Sequence, residues 1–387
     1  MRPVSARGIE DMTNRSRRKR LILLATGLLT LAILVAGCGP DNKQNSLQPS
    51  GEQATKIDNL FWPVLIVAIL VGIFITVATV YCAIRFRARP GREDRPKQTH
   101  GNTALEIGWT LIPAVILAVI AVPTVSLIFQ LNDAPAKDAL NITVVAKQWW
   151  WQFDYPASGG GTKVVTADEL HVPVGREVNA TLTACDASLP GGCNVIHSFW
   201  VPELNGKRDV VPGHMNTLTF TAKETGTFLG QCAEYCGLSH ANMRFRVIVQ
   251  TPSDYENWLD GQRDGPAVTL DEAGSAGKLF AQKFGCTNCH TTEDSSISTY
   301  GPNLTHLASR STFASGYYPL NRQNLIDWIY NAPAMIPMES KECRLGLGAP
   351  GVTCVGMPSF SENTPPGQPT MTRAEAAEIA DYLLQLS

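Results

Sequence analysis

Gly230-Gln231-Cys232-Ala233-Glu234-Tyr235-Cys236-Gly237-Leu238-Ser239-His240-Ala241-Asn242-Met243 gathers two thiols, an imidazole and a thioether in one short segment. A second imidazole, His197, stands ahead of Ser198-Phe199-Trp200-Val201-Pro202. Thiolate, imidazole and thioether together form the soft donor set that selects copper. A single-copper site of the blue type needs one Cys, two His and a weak axial Met. The extra Cys lets two metal ions share two bridging thiolates, each ion taking one His, with Met243 and a backbone carbonyl as weaker contacts. The alternatives are a Cys232–Cys236 disulfide or half a zinc site. A zinc ribbon, however, uses paired Cys-x2-Cys elements, which this segment lacks.

Around this segment the chain reads as β-structure. Asn141–Val145, Glu177–Thr183, Thr217–Thr221 and Arg244–Val249 are short alternating or β-branched runs punctuated by Gly and Pro. They predict an antiparallel sandwich or barrel over 138–252.

Upstream lie three charge-free apolar runs. Leu21 to Gly37 follows the basic cluster Arg15-Ser16-Arg17-Arg18-Lys19-Arg20 and ends in Val35-Ala36-Gly37-Cys38. A basic start, a short apolar core and small residues at the end describe an export signal over 1–37. The ending resembles a bacterial lipobox, which implies lipid on Cys38; a third membrane helix ending in an ordinary Cys is the alternative. After an exterior linker over 38–58, Leu60–Ile84 and Ile107–Phe129 are each long enough to cross a bilayer, giving a two-helix hairpin over 59–131. Arg85, Arg87, Arg89, Arg92, Arg95 and Lys97 between them mark a cytoplasmic loop. Cys38 and everything after Phe129 then face the exterior, the periplasmic side of a bacterial inner membrane.

Beyond a linker over 253–271, residues 272–387 carry Cys286-Thr287-Asn288-Cys289-His290. Cys-x-x-Cys-His is the attachment motif of c-type haem, with His290 placed to bind the iron; a thioredoxin-like redox pair is the alternative, but it needs a βαβ context. Met335, Met338, Met357 and Met371 are candidates for the opposite iron ligand. Gly356-Met357-Pro358 resembles the Met-Pro of small cytochromes c, which implies Met357 over Met335 or Met338, and a Met/His pair raises the reduction potential. Thr372-Arg373-Ala374-Glu375 spells a capping box, with Ile379, Leu383 and Leu386 following on one face of the last helix. An insertion carrying Cys343 and Cys354 precedes Met357. That pair and Cys185/Cys193, each flanking a Gly-rich loop, are disulfide candidates on an oxidising exterior; free thiols are the alternative. Cys82 reads as a small apolar residue of the first long helix.

From about Asp58 to Thr251 the chain resembles cytochrome c oxidase subunit II, and Gly230–Met243 resembles that family's binuclear CuA site. The likeness implies a Greek-key cupredoxin fold for the β-domain. It implies His197, Cys232, Cys236, His240, Met243 and the Glu234 carbonyl as copper ligands, and a magnesium ion on the Glu234 side chain, shared with subunit I. Asn102–Thr110 resembles the start of the family's second helix, making Glu106 the acid near a proton channel of subunit I. Lys147–Pro156 resembles the family's aromatic segment; the tryptophan that receives electrons then corresponds to Trp149, and Trp150 stands where a Tyr is common. The resemblance to small cytochromes c implies an all-α C-terminal domain whose last helix crosses its first near Gly277 and Phe280.

The function implied is that of an oxidase subunit without an oxygen site of its own. Electrons from a cytochrome c-type donor would pass through its haem c and CuA to subunit I, where oxygen is reduced and protons are translocated. The fused haem domain would act as a tethered donor at high effective concentration. The alternatives are a CuA subunit of a nitric-oxide reductase-type complex and a non-catalytic copper-handling envelope lipoprotein. Net charge is −2, which gives no field for nucleic acid. Charged residues make up only 17 %, below the usual quarter for soluble domains, in keeping with segments that contact membrane lipid.

Overall fold

The computed structural model describes residues 22, 25–27, 29, 44–87, 100–157, 161–184, 195–338, 356–362 and 369–387. Cys38, Cys185, Cys193, Cys343 and Cys354 lie outside these residues, so the lipid and disulfide expectations do too. The chain divides into Met1–Lys43 and Gln44–Ser387. In the first unit, the described residues are helical and exposed.

In the second unit, α1 (Glu52–Arg85) and α2 (Thr103–Leu131) are the two long apolar helices. At ~1.5 Å per residue, 34 and 29 residues exceed the ~30 Å hydrocarbon thickness of a bilayer. Their apolar side chains point outward, which suits lipid and not water. Asn102 caps α2 by accepting from the Ala104 and Leu105 amides. The linker expected over 38–58 is in part a docked strap. Ser50 and Gly51 donate their amides to the Glu203 carbonyl, and Gln53 Oε1 accepts from the Thr221 amide, so the first turn of α1 is anchored in the β-domain.

Among the described residues the β-domain holds ten strands: β1 (Leu140–Lys147), β2 (Trp150–Tyr155), β3 (Val164–Ala167), β4 (Glu169–Pro173), β5 (Glu177–Thr183), β6 (His197–Trp200), β7 (Lys207–Val210), β8 (Asn216–Thr221), β9 (Gly226–Cys232) and β10 (Arg244–Gln250). They form two five-stranded sheets, ordered β3-β2-β1-β5-β8 and β4-β10-β9-β6-β7. The sheets face each other over a core that includes Trp151, Phe153, Phe199, Phe220 and Phe245. A purely antiparallel sandwich is not what forms, because β1 pairs parallel with β5 and β4 parallel with β10. Both are crossover pairings between strands distant in sequence, as Greek-key connections generate. β5 alternates half-buried and buried residues along its length, the pattern of a sheet with one covered face. β3 and β4 are buried at every position, so both their faces are covered.

Part of that cover comes from the segment expected as a linker. Over 253–271 the chain is not extended throughout: α3 (Pro252–Gly261) is capped by Thr251 and lays Trp258 flat on the His171 ring, centroids 4.0 Å apart. The segment expected as a linker thus begins with a short helix.

The C-terminal region holds α4 (Ser275–Lys278), which continues as a π-turn over Leu279–Lys283, then α5 (Arg322–Met335) and α6 (Arg373–Leu383). Between them sits a small two-stranded ribbon, β11 (Thr312–Phe313) and β12 (Tyr318–Pro319), so this region is mainly but not wholly helical. Thr372 and Glu375 form the expected capping box, and Ile379, Leu383 and Leu386 are buried. Phe280 meets Tyr382 edge-on at 6.0 Å where the first and last helices pack together, and a Cβ on Gly277 would run into the Leu270 carbonyl.

Candidate metal centre

Cys232 ends β9, where its amide donates to the Met243 carbonyl, and the following residue, Ala233, donates to Ser198 of β6. The first bond closes the thiol loop on itself, and the second ties it to the strand that carries His197. A 3₁₀ turn over His240–Asn242 then folds His240 and Met243 back toward the sulfurs.

The result is a compact donor cluster. The two sulfurs lie 3.9 Å apart. His197 Nδ1 is 3.8 Å from Cys232 Sγ, and His240 Nδ1 is 3.7 Å from Cys236 Sγ. Met243 Sδ is 3.8 Å from Cys236 Sγ, and the Glu234 carbonyl is 3.2 Å from Cys232 Sγ. All six predicted ligand groups converge.

A disulfide needs sulfurs ~2.05 Å apart, so this pair is not one. Metal–sulfur bonds of ~2.3 Å let both sulfurs touch the same ion at the observed separation. Each sulfur has its own imidazole, and one has a thioether, as two thiolate-bridged coppers require. His197 and both cysteines are buried, and His197 Nε2 has no hydrogen-bond partner among the described residues.

The electrostatics agree. The hydrogen bond shared with Cys236 pulls the Cys232 thiol down to about 3, assisted by His197 and by the Glu234 and Ser198 backbone. The same bond and burial push Cys236 upward, so the pair retains one proton that a cation displaces.

The aromatic segment braces the loop. Trp149 Nε1 and Gln148 Nε2 both donate to the Cys236 carbonyl, at 3.0 and 2.7 Å. Trp151, fully buried, lies edge-on to the His197 ring at 6.1 Å. Sequence inspection singled out Trp149 and Trp150 but gave Gln148 and Trp151 no role. The alternation of β2 places Trp151, and not Trp150, toward the copper ligands. Trp150 instead lies under the Lys147 ammonium.

Glu234 aims its carboxylate at the Tyr235 amide. Magnesium takes six oxygen ligands, so this chain alone does not complete such a site. Glu106 is exposed in the first turn of α2.

A second cluster surrounds Cys286, Cys289 and His290. The His290 Nδ1 atom meets the Pro302 carbonyl at 2.7 Å, which fixes the ring and leaves Nε2 for a metal. A Cβ on Gly301 would come within 2.5 Å of the His290 ring, so glycine is what admits the imidazole. Burial holds His290 below the usual imidazole range, favouring the neutral, ligating form. These residues fit a covalent haem: two thiols, an adjacent half-buried neutral imidazole and a fixed tautomer.

Two bilayer-length apolar helices, a cupredoxin-like sandwich and a two-sulfur, two-imidazole donor cluster define the class: a membrane protein with a copper-binding β-domain. Comparisons narrow it. The family described as "Cytochrome C oxidase subunit II, periplasmic domain" matches residues 158–251, and "Cytochrome C oxidase subunit II, transmembrane domain" matches 40–127. The chain is 35% identical over 305 residues to cytochrome c oxidase subunit 2 of Alkalihalophilus pseudofirmus, covering 77% of this chain and 85% of that one. It is 32% identical to the Bacillus subtilis protein of the same name, over 82% of this chain and 90% of the relative. Quinol oxidase subunit 2 of Bacillus anthracis is 30% identical, over 66% and 85%. The solved periplasmic domain of subunit II of cytochrome oxidase from Bradyrhizobium japonicum is 30% identical with a TM-score of 0.29, covering 33% of this chain and 96% of that one. The chain belongs to the cytochrome c oxidase subunit II family.

Proposed function

We propose that this chain is the electron-input subunit of a terminal oxidase of the bacterial inner membrane, receiving electrons from a cytochrome c-type donor and delivering them to subunit I for oxygen reduction coupled to proton translocation. α1 and α2 form a two-pass anchor with a cytoplasmic basic loop, and the β-domain and 272–387 lie outside. When bound, the two cofactors supply one-electron carriers in series, a covalent haem c and a dinuclear copper.

The observation that carries this reading is the sulfur pair 3.9 Å apart, with an imidazole on each sulfur. Quinol-oxidising members of the resembling family lack the copper ligands; this chain keeps His197, Cys232, Cys236, His240 and Met243, which favours a cytochrome donor. The protein's residues do the positioning. Cys232 and Cys236 hold the metals, His197 and His240 complete each ion, and Met243 and the Glu234 carbonyl contribute weaker contacts. Trp149, bonded to the Cys236 carbonyl, is the residue through which electrons reach the cluster.

For the haem, Cys286 and Cys289 are the attachment thiols and His290 one iron ligand. Met357 is the best opposite ligand. It packs against the C-terminal core, as Cys286 does, whereas Met338 packs on the β-domain and accepts from the Met357 amide at 3.2 Å. Met335 and Met371 are engaged through their backbones with Tyr318 and Phe360. The Bacillus subtilis match also supports a shared C-terminal extension: 82% of 387 residues is about 317, which cannot fit within residues 1–251. Glu234 would contribute one ligand to a magnesium site completed by subunit I, Glu106 would face its proton channel, and Cys38 would carry lipid.

Electron paramagnetic resonance of the purified subunit tests the proposal. One unpaired electron shared over two copper nuclei is expected, together with a covalent-haem absorption band. A single-copper spectrum would overturn it.

A further inference from the structure

Two acidic residues, Asp168 and Glu169, lie at the β3–β4 junction, and both side chains are buried. Asp168 adopts φ +61° between the two strands. One of its oxygens accepts from the Trp151 amide at 2.9 Å, and the other from the Ser315 amide at 3.0 Å. A single carboxylate thus joins the copper domain to the C-terminal domain. Glu169 is more committed: its Oε1 accepts from the Ser311 amide and hydroxyl and from the Thr312 amide and hydroxyl, at 2.6 to 3.1 Å. Arg310 supplies a cation that interacts with both acids.

These bonds seat the β11–β12 hairpin turn, and the turn reaches the copper loop. The Ser315 hydroxyl donates to the Trp149 carbonyl, while the indole of Trp149 donates to Cys236. Trp149 is therefore held between the hairpin and the copper loop, only 7% exposed. Separate contacts run along the same face, with Val165 donating to the Ser295 carbonyl and Lys147 Nζ to the Thr299 carbonyl, both at 2.8 Å. An uncompensated buried carboxylate is strongly unfavourable. Separating the domains therefore takes the Ser315 amide from Asp168, which keeps only Trp151, and the Ser311 and Thr312 donors from Glu169.

We propose that Asp168 and Glu169 are a two-carboxylate clasp that seats the C-terminal domain on the copper domain with its hairpin turn over Trp149, closing that tryptophan to a soluble donor. This rests on the C-terminal domain being the electron-delivering one. Asp168 and Glu169 act as positioning residues, fixing where that domain stands and touching neither cofactor.

The test uses the assembled oxidase in wild-type, Glu169→Ala and Glu169→Gln forms. Copper and haem contents are measured first, then hydrogen exchange at the Val165 amide, which belongs to a contact separate from Glu169. In Glu169→Ala, Val165 exchange should rise at least tenfold, and the delay between haem and copper reduction should lengthen at least tenfold, at unchanged cofactor content. Glu169→Gln, which keeps an acceptor oxygen, should recover most of both. If Ser311 and Thr312 exchange freely in Glu169→Ala while Val165 stays protected, the clasp is refuted. Wild-type protein without covalent haem would overturn the reading on which the proposal rests; the Val165 measurement needs no haem and judges the clasp by itself.

Discussion

Replacing Gly230 with Ala should unsettle the copper domain through one aromatic ring. Gly230 of β9 pairs with Phe245 of β10, and a Cβ there would lie 2.1 Å from the ring's Cζ and 2.4 and 2.5 Å from its Cε atoms. The ring lies across the glycine and has little room to retreat. It stacks on Phe199 at 4.5 Å and packs against Trp151 at 5.3 Å and Phe153 at 6.0 Å. Overpacking of this kind costs about 1–3 kcal/mol, against ~0.5–1 kcal/mol recovered from the stiffer unfolded chain. A net loss of about 1–2 kcal/mol lowers the Tm of a domain of this size by roughly 5–15 °C. Because Trp151 also lies on His197, the copper absorption bands should shift before unfolding begins. Thermal unfolding followed by near-ultraviolet circular dichroism and copper absorbance checks both effects. Gly261→Ala, where a Cβ meets nothing within 4 Å, is the control and should be neutral or slightly stabilising. Phe245→Leu in the Gly230→Ala background should restore part of the loss, a coupling that a double-mutant cycle reads directly. A Tm for Gly230→Ala equal to that of the control would refute the close-contact argument.

Three further outcomes are expected. Burial pushes Asp168 up to about 7, opposed by its bonds to Trp151 and Ser315 and by Arg310, so the folded state holds its proton more tightly than the unfolded chain; through this group stability falls as pH rises from about 4 to about 7, by up to about 4 kcal/mol at ~1.4 kcal/mol per pH unit. The stability of Asp168→Asn relative to wild type should therefore climb over that window and level off above it; a flat difference refutes the assignment. Gly301→Ala should push the His290 ring off the Pro302 carbonyl, leaving haem content intact but reducing the low-spin fraction in the absorption spectrum. Met357→Leu should abolish the methionine–iron charge-transfer band while Met338→Leu leaves it in place; the reverse pattern would move the ligand to Met338.

The copper cluster was legible because its chemistry is local. Cys232, Glu234, Cys236, His240 and Met243 share one loop, and a short turn suffices to converge them. His197 was legible only through that loop, since a lone histidine in a strand announces nothing. The strand runs were equally plain, because alternation survives where a sheet has one wet face, as in β5. What escaped was long-range pairing. Nothing in Leu140–Lys147 announces a parallel partner in Glu177–Thr183, and register of that kind is fixed by the crossover and not by the strand. α3 escaped because ten residues ending in Gly look like a linker until Trp258 is seen lying on His171. Asp168-Glu169 escaped because an acidic pair beside a turn reads as solvated, and it becomes buried only when a distant hairpin arrives.

That last case explains why β3 and β4 lack alternation. Val164-Val165-Thr166-Ala167 and Glu169-Leu170-His171-Val172-Pro173 are buried throughout, yet they include Thr, Glu and His. A sheet covered on both faces by its own sandwich would favour apolar residues at these positions. Polar residues persist where the second cover is another domain that brings partners for them: Ser311 and Thr312 for Glu169, Ser315 for Asp168. A flexible tether alone would give a second domain an effective concentration of order millimolar and no preferred orientation. Buried carboxylates satisfied by named amides select one pose out of all those the tether permits. The buried Asp168-Glu169 pair is therefore the imprint of docking on the copper domain's own sequence, and it places the contact one residue, Trp149, from Cys236.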